Sequence, residues 1–394
     1  MFPRHLRFVF LASLGHLAIE LCSQFLPVVY PILVDTLGLT YTQVGALALV
    51  GSLGTSVAQP VFGYLSDRWD RRRMAALSVA WIGLIMGLVG WTNSYVLLML
   101  TIGLGALGSA AYHPPGATMA SSHGGERRGA SVSIFSVGGS VGSALSPLLI
   151  TAAVTRFGTR GTVVLTPVAL LLSLLLFWRL GRAAPATDAP QSETGAAATN
   201  GRFVLSLVLI VLCVMCLSWL QGSLRTYLPI WVQSQGQSLS VGSRMLTVYL
   251  AVMGVGSLIG GALSDRIGRW QLLGLCLGLL GPMVWLFVGA TGWLQWVLIA
   301  VVGALLGATF PVSIVMAQET WPSGVGIASG LAMGLGWLPA GIGASFTGFV
   351  ADRLSLAVGL RALVVPAVVG VGLVLAYAAS RRRALDKSIE PVPV

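Results

Sequence analysis

The sequence predicts an all-α membrane protein, with twelve spanning helices arranged as two pseudo-symmetric bundles of six. Three observations carry this. Apolar residues make up 56% of the chain and charged residues 9%, with 50 glycines. That balance suits helices packed through small residues inside lipid, not a globule with a polar surface. Twelve apolar runs recur, near 7–33, 43–65, 74–92, 95–120, 130–154, 162–181, 203–232, 242–263, 271–290, 293–317, 325–350 and 360–380, and each can supply the roughly 20 residues a bilayer crossing needs. One polar phrase occurs twice: Gly63–Arg73 reads GYLSDRWDRRR and Gly261–Arg269 reads GALSDRIGR, 198 positions later in a chain of 394. Each copy separates the second and third runs of its half, so the halves read as repeats of one unit. The period-two alternation of a membrane β-barrel is absent.

Residues 1–182 are expected to form the first bundle and 203–384 the second, with a tail at 385–394. The stretch 183–202 is rich in Ala, Pro, Thr and Gly and carries Asp188 and Glu193. It has too few apolar residues to build a core and reads as a flexible linker. The first run is longer than the roughly 7–15 apolar residues of a signal core and shows no clear cleavage site, so it reads as a retained span.

The net charge of +11 is unevenly spread. If both termini share one face, that face holds seventeen Lys and Arg residues and the other holds five (Arg156, Arg160, Arg244, Arg353 and Arg361), leaving Arg225 alone inside a run. The asymmetry predicts an inner-membrane protein with both termini cytoplasmic. A basic face toward anionic lipid, not nucleic acid, accounts for the charge. The four cysteines, Cys22, Cys213, Cys216 and Cys276, all fall inside apolar runs. The Cys213-x-x-Cys216 pair therefore reads as small buried residues, not as a redox motif. No cofactor or resident metal is expected.

In the first run His16, Glu20, Ser23, Gln24 and Pro27 follow steps of three or four and share one helical face. Ionisable groups in a bilayer core are costly unless they face a cavity or each other. His16 and Glu20 are candidates for proton binding; the plainer alternative is a polar pair locking two helices. The third run, 74–92, lacks a polar stripe and is expected to be a lipid-facing outer helix. The fourth carries Gly105, Gly108, Ser109 and Tyr112 and then the break His113-Pro114-Pro115, making His113 a candidate for proton or substrate contact or a stabiliser of the kink. In the fifth, Gly138, Gly142 and Ser146 form one small-residue ridge and Gly139 and Ser143 another. The seventh restarts the pattern: Leu228-Pro229 echoes Leu26-Pro27, and Arg225 lies on a polar face with Gln221. An arginine so deep must be paired or wet, which makes it a candidate to bind an anionic substrate or to partner Glu20. Gln24, Tyr30, Tyr112, Tyr227, Tyr249 and Trp337 are candidates to complete a substrate cavity. Gly326, Gly330 and Gly334 give the eleventh run a glycine face suited to bending or close packing. Glu319, ending the tenth run, is open between a loop role and coupling.

The repeated phrase resembles the loop pattern G-x-L-x-D-R-x-G-R-R of the major facilitator superfamily. Gly63, Leu65, Asp67, Arg68, Arg71 and Arg72 fit it, Asp70 stands where that family has glycine, and the second copy keeps Leu263, Asp265, Arg266, Gly268 and Arg269. Physically, a carboxylate at one helix end and arginines at the next form a latch across the loop; fixing orientation is the alternative role. Further residues resemble the fosmidomycin-resistance branch: His16 with Glu20, Gly108 through His113-Pro114, Val137-Gly138-Gly139 to Pro147-Leu148-Leu149, Ile259-Gly260-Gly261, and Ala317-Gln318-Glu319 through Pro322 to Ser329-Gly330-Leu331. The resemblance implies the major facilitator fold and proton-coupled export of small molecules, an anionic phosphonate antibiotic among them. One departure concerns the site. The family has an acidic residue after His-Pro and an arginine three later, where this chain has Pro115 and Thr118; Arg225 is the candidate for the missing positive charge.

The expectation is a non-enzymatic, monomeric secondary transporter working by alternating access. Most directly it is a proton-coupled antiporter exporting an anionic or amphiphilic drug-like molecule. The alternative is uptake or facilitated diffusion of an organic anion. A metal-ion carrier using His16, Glu20 and His113 ranks below both, since helix 1 alone offers only two ligands.

Overall fold

The computed structural model describes residues 4–122, 128–180, 201–321, 328, 331–332 and 336–389. Its helices are α1 (Arg4–Ser23), α2 (Leu26–Leu37), α3 (Tyr41–Arg68), α4 (Arg71–Gly87), α5 (Tyr95–Ser122), α6 (Arg128–Phe157), α7 (Leu165–Leu180), α8 (Gly201–Ser234), α9 (Leu239–Ile267), α10 (Arg269–Gly289), α11 (Trp293–Thr320), α12 (Pro339–Arg353), α13 (Leu356–Arg361) and α14 (Val364–Ile389). Among the described residues eleven stretches are long and apolar enough to cross a membrane. The run at 325–350 is the twelfth, described mainly as α12. Residues 183–200 of the expected linker, Gly326, Gly330 and Gly334 of the eleventh run, and Pro322, Ser329 and the final tail residues 390–394 lie outside the described set. The last helix continues to Ile389.

The first span is not one helix. Pro27 lacks the N–H a continuous helix needs and its ring would meet the carbonyl of Ser23. The chain therefore turns at Gln24–Phe25 and restarts as α2 with proline in its first turn. His16, Glu20 and Ser23 stay on α1, Gln24 sits in the turn, and Pro27 is buried on α2. Nor is α4 a simple outer helix. Leu77, Trp81, Leu84 and Leu88 do present an exposed apolar stripe, but Ala75, Ala76, Val79, Ile82 and Met86 are buried, on a helix that packs against α5 and α7. The most open of the crossings is α3, with 17% of its apolar window buried against 61% for α4.

That openness has a direction. At its start α3 runs antiparallel to α12 at backbone contact: a methyl on Gly45 would meet the Ser345 backbone, one on Gly341 the Leu49 backbone, and one on Gly348 the Tyr41 carbonyl. Glycine at these steps lets two helices from different halves touch. Asp352 then ties the seam. Its carboxylate accepts from the Tyr41 and Thr42 amides at 2.8 Å each and from Thr42 Oγ1 at 2.6 Å, placing an anion on the N-terminus of a helix in the other half. Tyr227 donates to Tyr41 O at 2.7 Å, Gln233 to Asp35 at 3.3 Å, and Ser243 to Pro147 O at 2.8 Å. Further along, the same stripe of α3 emerges as exposed Leu53, Val57, Val61 and Tyr64, while Leu258 is exposed on α9. Among the described residues the halves are thus in contact on the face away from the two repeated loops and exposed toward it.

The Asp352 contact generates a prediction. Asp352 is exposed, so solvent screening holds each bond to about 0–1 kcal/mol, and Asp352→Ala should raise severalfold the labelling rate, by a membrane-impermeant maleimide, of a cysteine placed at Thr42, which keeps both amide bonds to the carboxylate. An unchanged rate would mean the glycine seam holds the closed face by itself.

Candidate functional site

The two small-residue ridges of α6 have different tasks. Gly138 and Gly142 lie against the backbones of Ser13 and Leu17, and Ser146 Oγ donates to Leu21 O at 2.6 Å. Ser13, Leu17 and Leu21 recur at the same spacing of four, so this ridge seats the α1 backbone. The second ridge, one residue on, meets side chains. Gly139 leaves room for the His16 imidazole, and Ser143 Oγ donates to Glu20 Oε2 at 3.2 Å.

The Glu20 carboxylate is divided between two sets of partners. Oε2 accepts from Gln24 Nε2 at 2.7 Å as well as from Ser143. Oε1 faces His16 Nε2 at 3.7 Å and His113 Nε2 at 3.5 Å. Each imidazole is oriented by its other nitrogen: His16 Nδ1 donates to Phe135 O at 2.9 Å and His113 Nδ1 to Ser109 O at 2.8 Å. A carbonyl can only accept, which assigns the hydrogen to Nδ1 and leaves each Nε2 to gain or lose a proton. His16 also stacks on Phe135 at 4.2 Å and meets His113 edge to face at 5.1 Å. His113 thus both serves the proline break locally and reaches Glu20. The three side chains are 13%, 14% and 27% exposed in the order His16, Glu20, His113, sheltered yet open to small species.

Arg225 joins this cluster from the second half, through an intermediary. Its Nη1 donates to Gln24 Oε1 at 3.1 Å, so the Gln24 amide links guanidinium to carboxylate: the oxygen takes Arg225 and the nitrogen takes Glu20. Arg225 does not touch Glu20 directly, because the turn after α1 places Gln24 between them. Tyr30 and Tyr249 are buried within reach of the Arg225 charge, and the Tyr249 hydroxyl meets no hydrogen-bond partner among the described residues. Gln221, one turn before Arg225, is part-buried.

The other aromatic candidates sit differently. Tyr112 is fully buried and donates to Ala12 O. Tyr227 shares its hydroxyl between Tyr41 O and Ala344 O, at 2.7 and 2.9 Å, and belongs to the closed seam. Trp337 is part-buried, edge-on to Phe310 at 5.7 Å.

On the open face Asp67 pairs with Arg71 at 2.7 Å, and Arg71 Nε also donates to Ser66 O at 3.1 Å, in the last turn of α3 where carbonyls need partners from outside the helix. Arg68 stacks over Tyr64 at 3.6 Å. Asp265 pairs with Arg269 at 3.5 Å, and Arg269 also bonds Glu319 of α11, drawing Glu319 into the second loop cluster. Arg72 lies in the first turn of α4 and Arg266 is exposed. The departure at Asp70 has a physical reason. Its φ of −66° needs no glycine, and its side chain caps α4 through the Arg72 and Arg73 amides, whereas Gly268 in the second copy has φ +94°. These pairs are largely solvated, so each is worth about 0–1 kcal/mol.

Sequence reasoning missed Ser143 as a partner of Glu20, Phe135 as the support of His16, and Asp352 altogether. The first two had a signal in the second ridge of α6 beside His16 and Glu20; Asp352 had only an acidic residue ending an apolar run.

Two helical halves meeting around a polar cluster, closed at one face and open at the other, define a secondary membrane transporter of a small molecule, not an enzyme. The family model described as Major Facilitator Superfamily matches residues 12–344 and 210–390, and the chain belongs to that family. It is 28% identical over 353 residues to the fosmidomycin resistance protein of Escherichia coli (strain K12), covering 87% of this chain and 86% of that one. To the multidrug resistance protein MdtG of Citrobacter koseri it is 28% identical over 313 residues, covering 75% and 74%. Among solved structures it matches a bacterial homolog to the human lysosomal transporter Spinster in an inward-facing, unoccupied conformation, with TM-score 0.82, 16% identity and coverage of 97% and 98%.

Glycine at 139 is required if the His16 ring is to sit where it does: an added Cβ would lie 2.6 Å from Nε2, far inside the roughly 3.5–4.0 Å of normal contact. Gly139→Ala should therefore cost about 1–3 kcal/mol, read as a lower melting temperature. Gly261→Ala, inside α9 and with nothing within 4 Å, should melt at or above the wild type, since alanine is favoured over glycine in a helix by up to about 1 kcal/mol.

Proposed function

We propose that this transporter exchanges protons for a small anionic or amphiphilic organic molecule, exporting it from the cytoplasm. The observation that carries this is the chain His113/His16–Glu20–Gln24–Arg225, which runs unbroken from one half to the other. A proton taken by Glu20 removes the charge that Gln24 answers. An anionic substrate taken by Arg225 competes for the other end of the same amide. Either event loosens the bridge between halves, so proton and substrate act on one link from opposite ends, the condition for coupled exchange. His16 and His113 present Nε2 to Glu20 Oε1 and can share its proton, and Tyr30, Tyr249 and Gln221 flank the place an anion would occupy.

The positive-inside charge pattern supports a loop-bearing face and both termini on the cytoplasmic side of an inner-membrane protein, and on that reading the described state opens to the cytoplasm. The loop clusters around Asp67, Arg68, Arg71 and Arg72 and around Asp265, Arg266 and Arg269 would then latch the open face when it closes. The names of two relatives, resistance to fosmidomycin and to multiple drugs, support export as the direction.

In proteoliposomes, Glu20→Gln should reduce transport driven by an imposed pH gradient roughly tenfold or more, the equivalent of about 1.4 kcal/mol, while substrate counterflow continues. Loss of both would remove the coupling role, and uptake driven by the same gradient would reverse the direction. Arg225→Ala should weaken organic anions by about 1.5–3 kcal/mol, roughly 10–150-fold, with neutral amphiphiles little changed; equal loss for both would remove Arg225 from anion recognition.

A further inference from the structure

His16, Glu20 and His113 present three ligand atoms, one from each, all within 4.8 Å of one another. The two nitrogen–oxygen separations are 3.7 and 3.5 Å. A tetrahedral ion with bonds of about 2.0–2.1 Å spaces its ligands about 3.3–3.4 Å apart, so those pairs need to close by only a few tenths of an ångström and the imidazoles by at most about 1.5 Å.

The surroundings are prepared as well as the ligands. Metal-binding histidines usually donate their second nitrogen to a carbonyl or carboxylate, which fixes the tautomer and aims the lone pair. Both histidines do this, through Phe135 O and Ser109 O. Glu20 is held by its far oxygen, through Gln24 and Ser143, which leaves Oε1 directed at both imidazoles. Phe135 packs flat on His16 and limits how far the ring can turn. The sequence put only His16 and Glu20 at metal spacing, on α1; the packing of α5 brings His113 within reach of both.

We infer that His16 Nε2, Glu20 Oε1 and His113 Nε2 form a binding site for one divalent transition-metal ion of the zinc class. Two imidazoles and one carboxylate suit Zn²⁺ or Co²⁺, whereas Mg²⁺ and Ca²⁺ seek an all-oxygen shell. Three protein ligands leave a fourth position for water or an anionic group of a substrate. The metal site stands on its geometry; its consequence, that the ion blocks proton-driven exchange by holding the coupling residues, rests on the function proposed above.

The test uses the full chain, purified in detergent, stripped by chelator and titrated with Co²⁺ while its visible ligand-field absorption is followed. One Co²⁺ per chain should bind, be displaced by Zn²⁺ and ignore excess Mg²⁺. His113→Gln and Glu20→Gln should each weaken binding by at least about tenfold, whereas replacing His5 and His123 together should not. Melting curves establish that each variant is folded; if one is not, the other reads the same loss. Absence of saturable binding, more than one ion per chain, or affinity unchanged in the folded variants would overturn the site and leave an adventitious ion only. The two readings fail separately. A Co²⁺ site in a carrier whose Glu20→Gln variant keeps full proton-driven transport retains the metal and removes the coupling role. Coupling lost in that variant, with no Co²⁺ bound by the wild type, does the reverse.

Discussion

The structure depends on keeping one carboxylate in the middle of a bilayer. An isolated charge there is expensive, and the cost is met by neighbours. Glu20 has them on both oxygens: two imidazoles on one side, an amide and a hydroxyl on the other. To assemble that set, α1 must lie close enough to α6 for Ser143 to reach it, which is why α6 shows glycine to the α1 backbone at 138 and 142. It must also stop at Gln24, so that the amide turns toward the second half. Pro27 supplies the stop.

A second constraint works at the far end of the same interface. The α3–α12 seam closes by backbone contact through Gly45, Gly341 and Gly348, and Asp352 fastens it by capping a helix that belongs to the other half. Helix termini carry unsatisfied amides wherever they occur. Here the cap is supplied from across the interface, so closing this face satisfies donors that opening it would return to water. The loop clusters on the opposite face are solvated ion pairs, each within its own half. Asymmetry of this kind lets one face be the closed one while a modest change at the central link redistributes the states.

Charge connects the two. Gln24 is neutral, yet it is the residue through which carboxylate and guanidinium sense each other. An amide has both a donor and an acceptor to offer, and this one uses each toward a different half. Direct contact between Glu20 and Arg225 would be a buried ion pair, strong once formed and costly to part. A bridged pair can be parted at lower cost, which suits a carrier that must change state in every cycle.

Much of this was legible in the chain. The spans, the two halves and the repeated loops follow from apolar run length and an internal offset, because a bilayer demands both of any helix that crosses it. His16, Glu20, Gln24, His113 and Arg225 stood out for the same reason: polar side chains in apolar runs need an explanation. Their partners did not stand out, since Ser143, Phe135 and Asp352 are ordinary where they occur and acquire a role only from what packs against them. Nor could periodicity tell a continuous first helix from one that breaks before Pro27, or an outer α4 from one half buried. The sequence by itself determined which residues had to be sheltered, through the cost of polarity in lipid. Which oxygen meets which nitrogen, that Gln24 stands between Glu20 and Arg225, and that the far face is the closed one were decided by tertiary packing, because those facts depend on how helices remote in the chain approach one another.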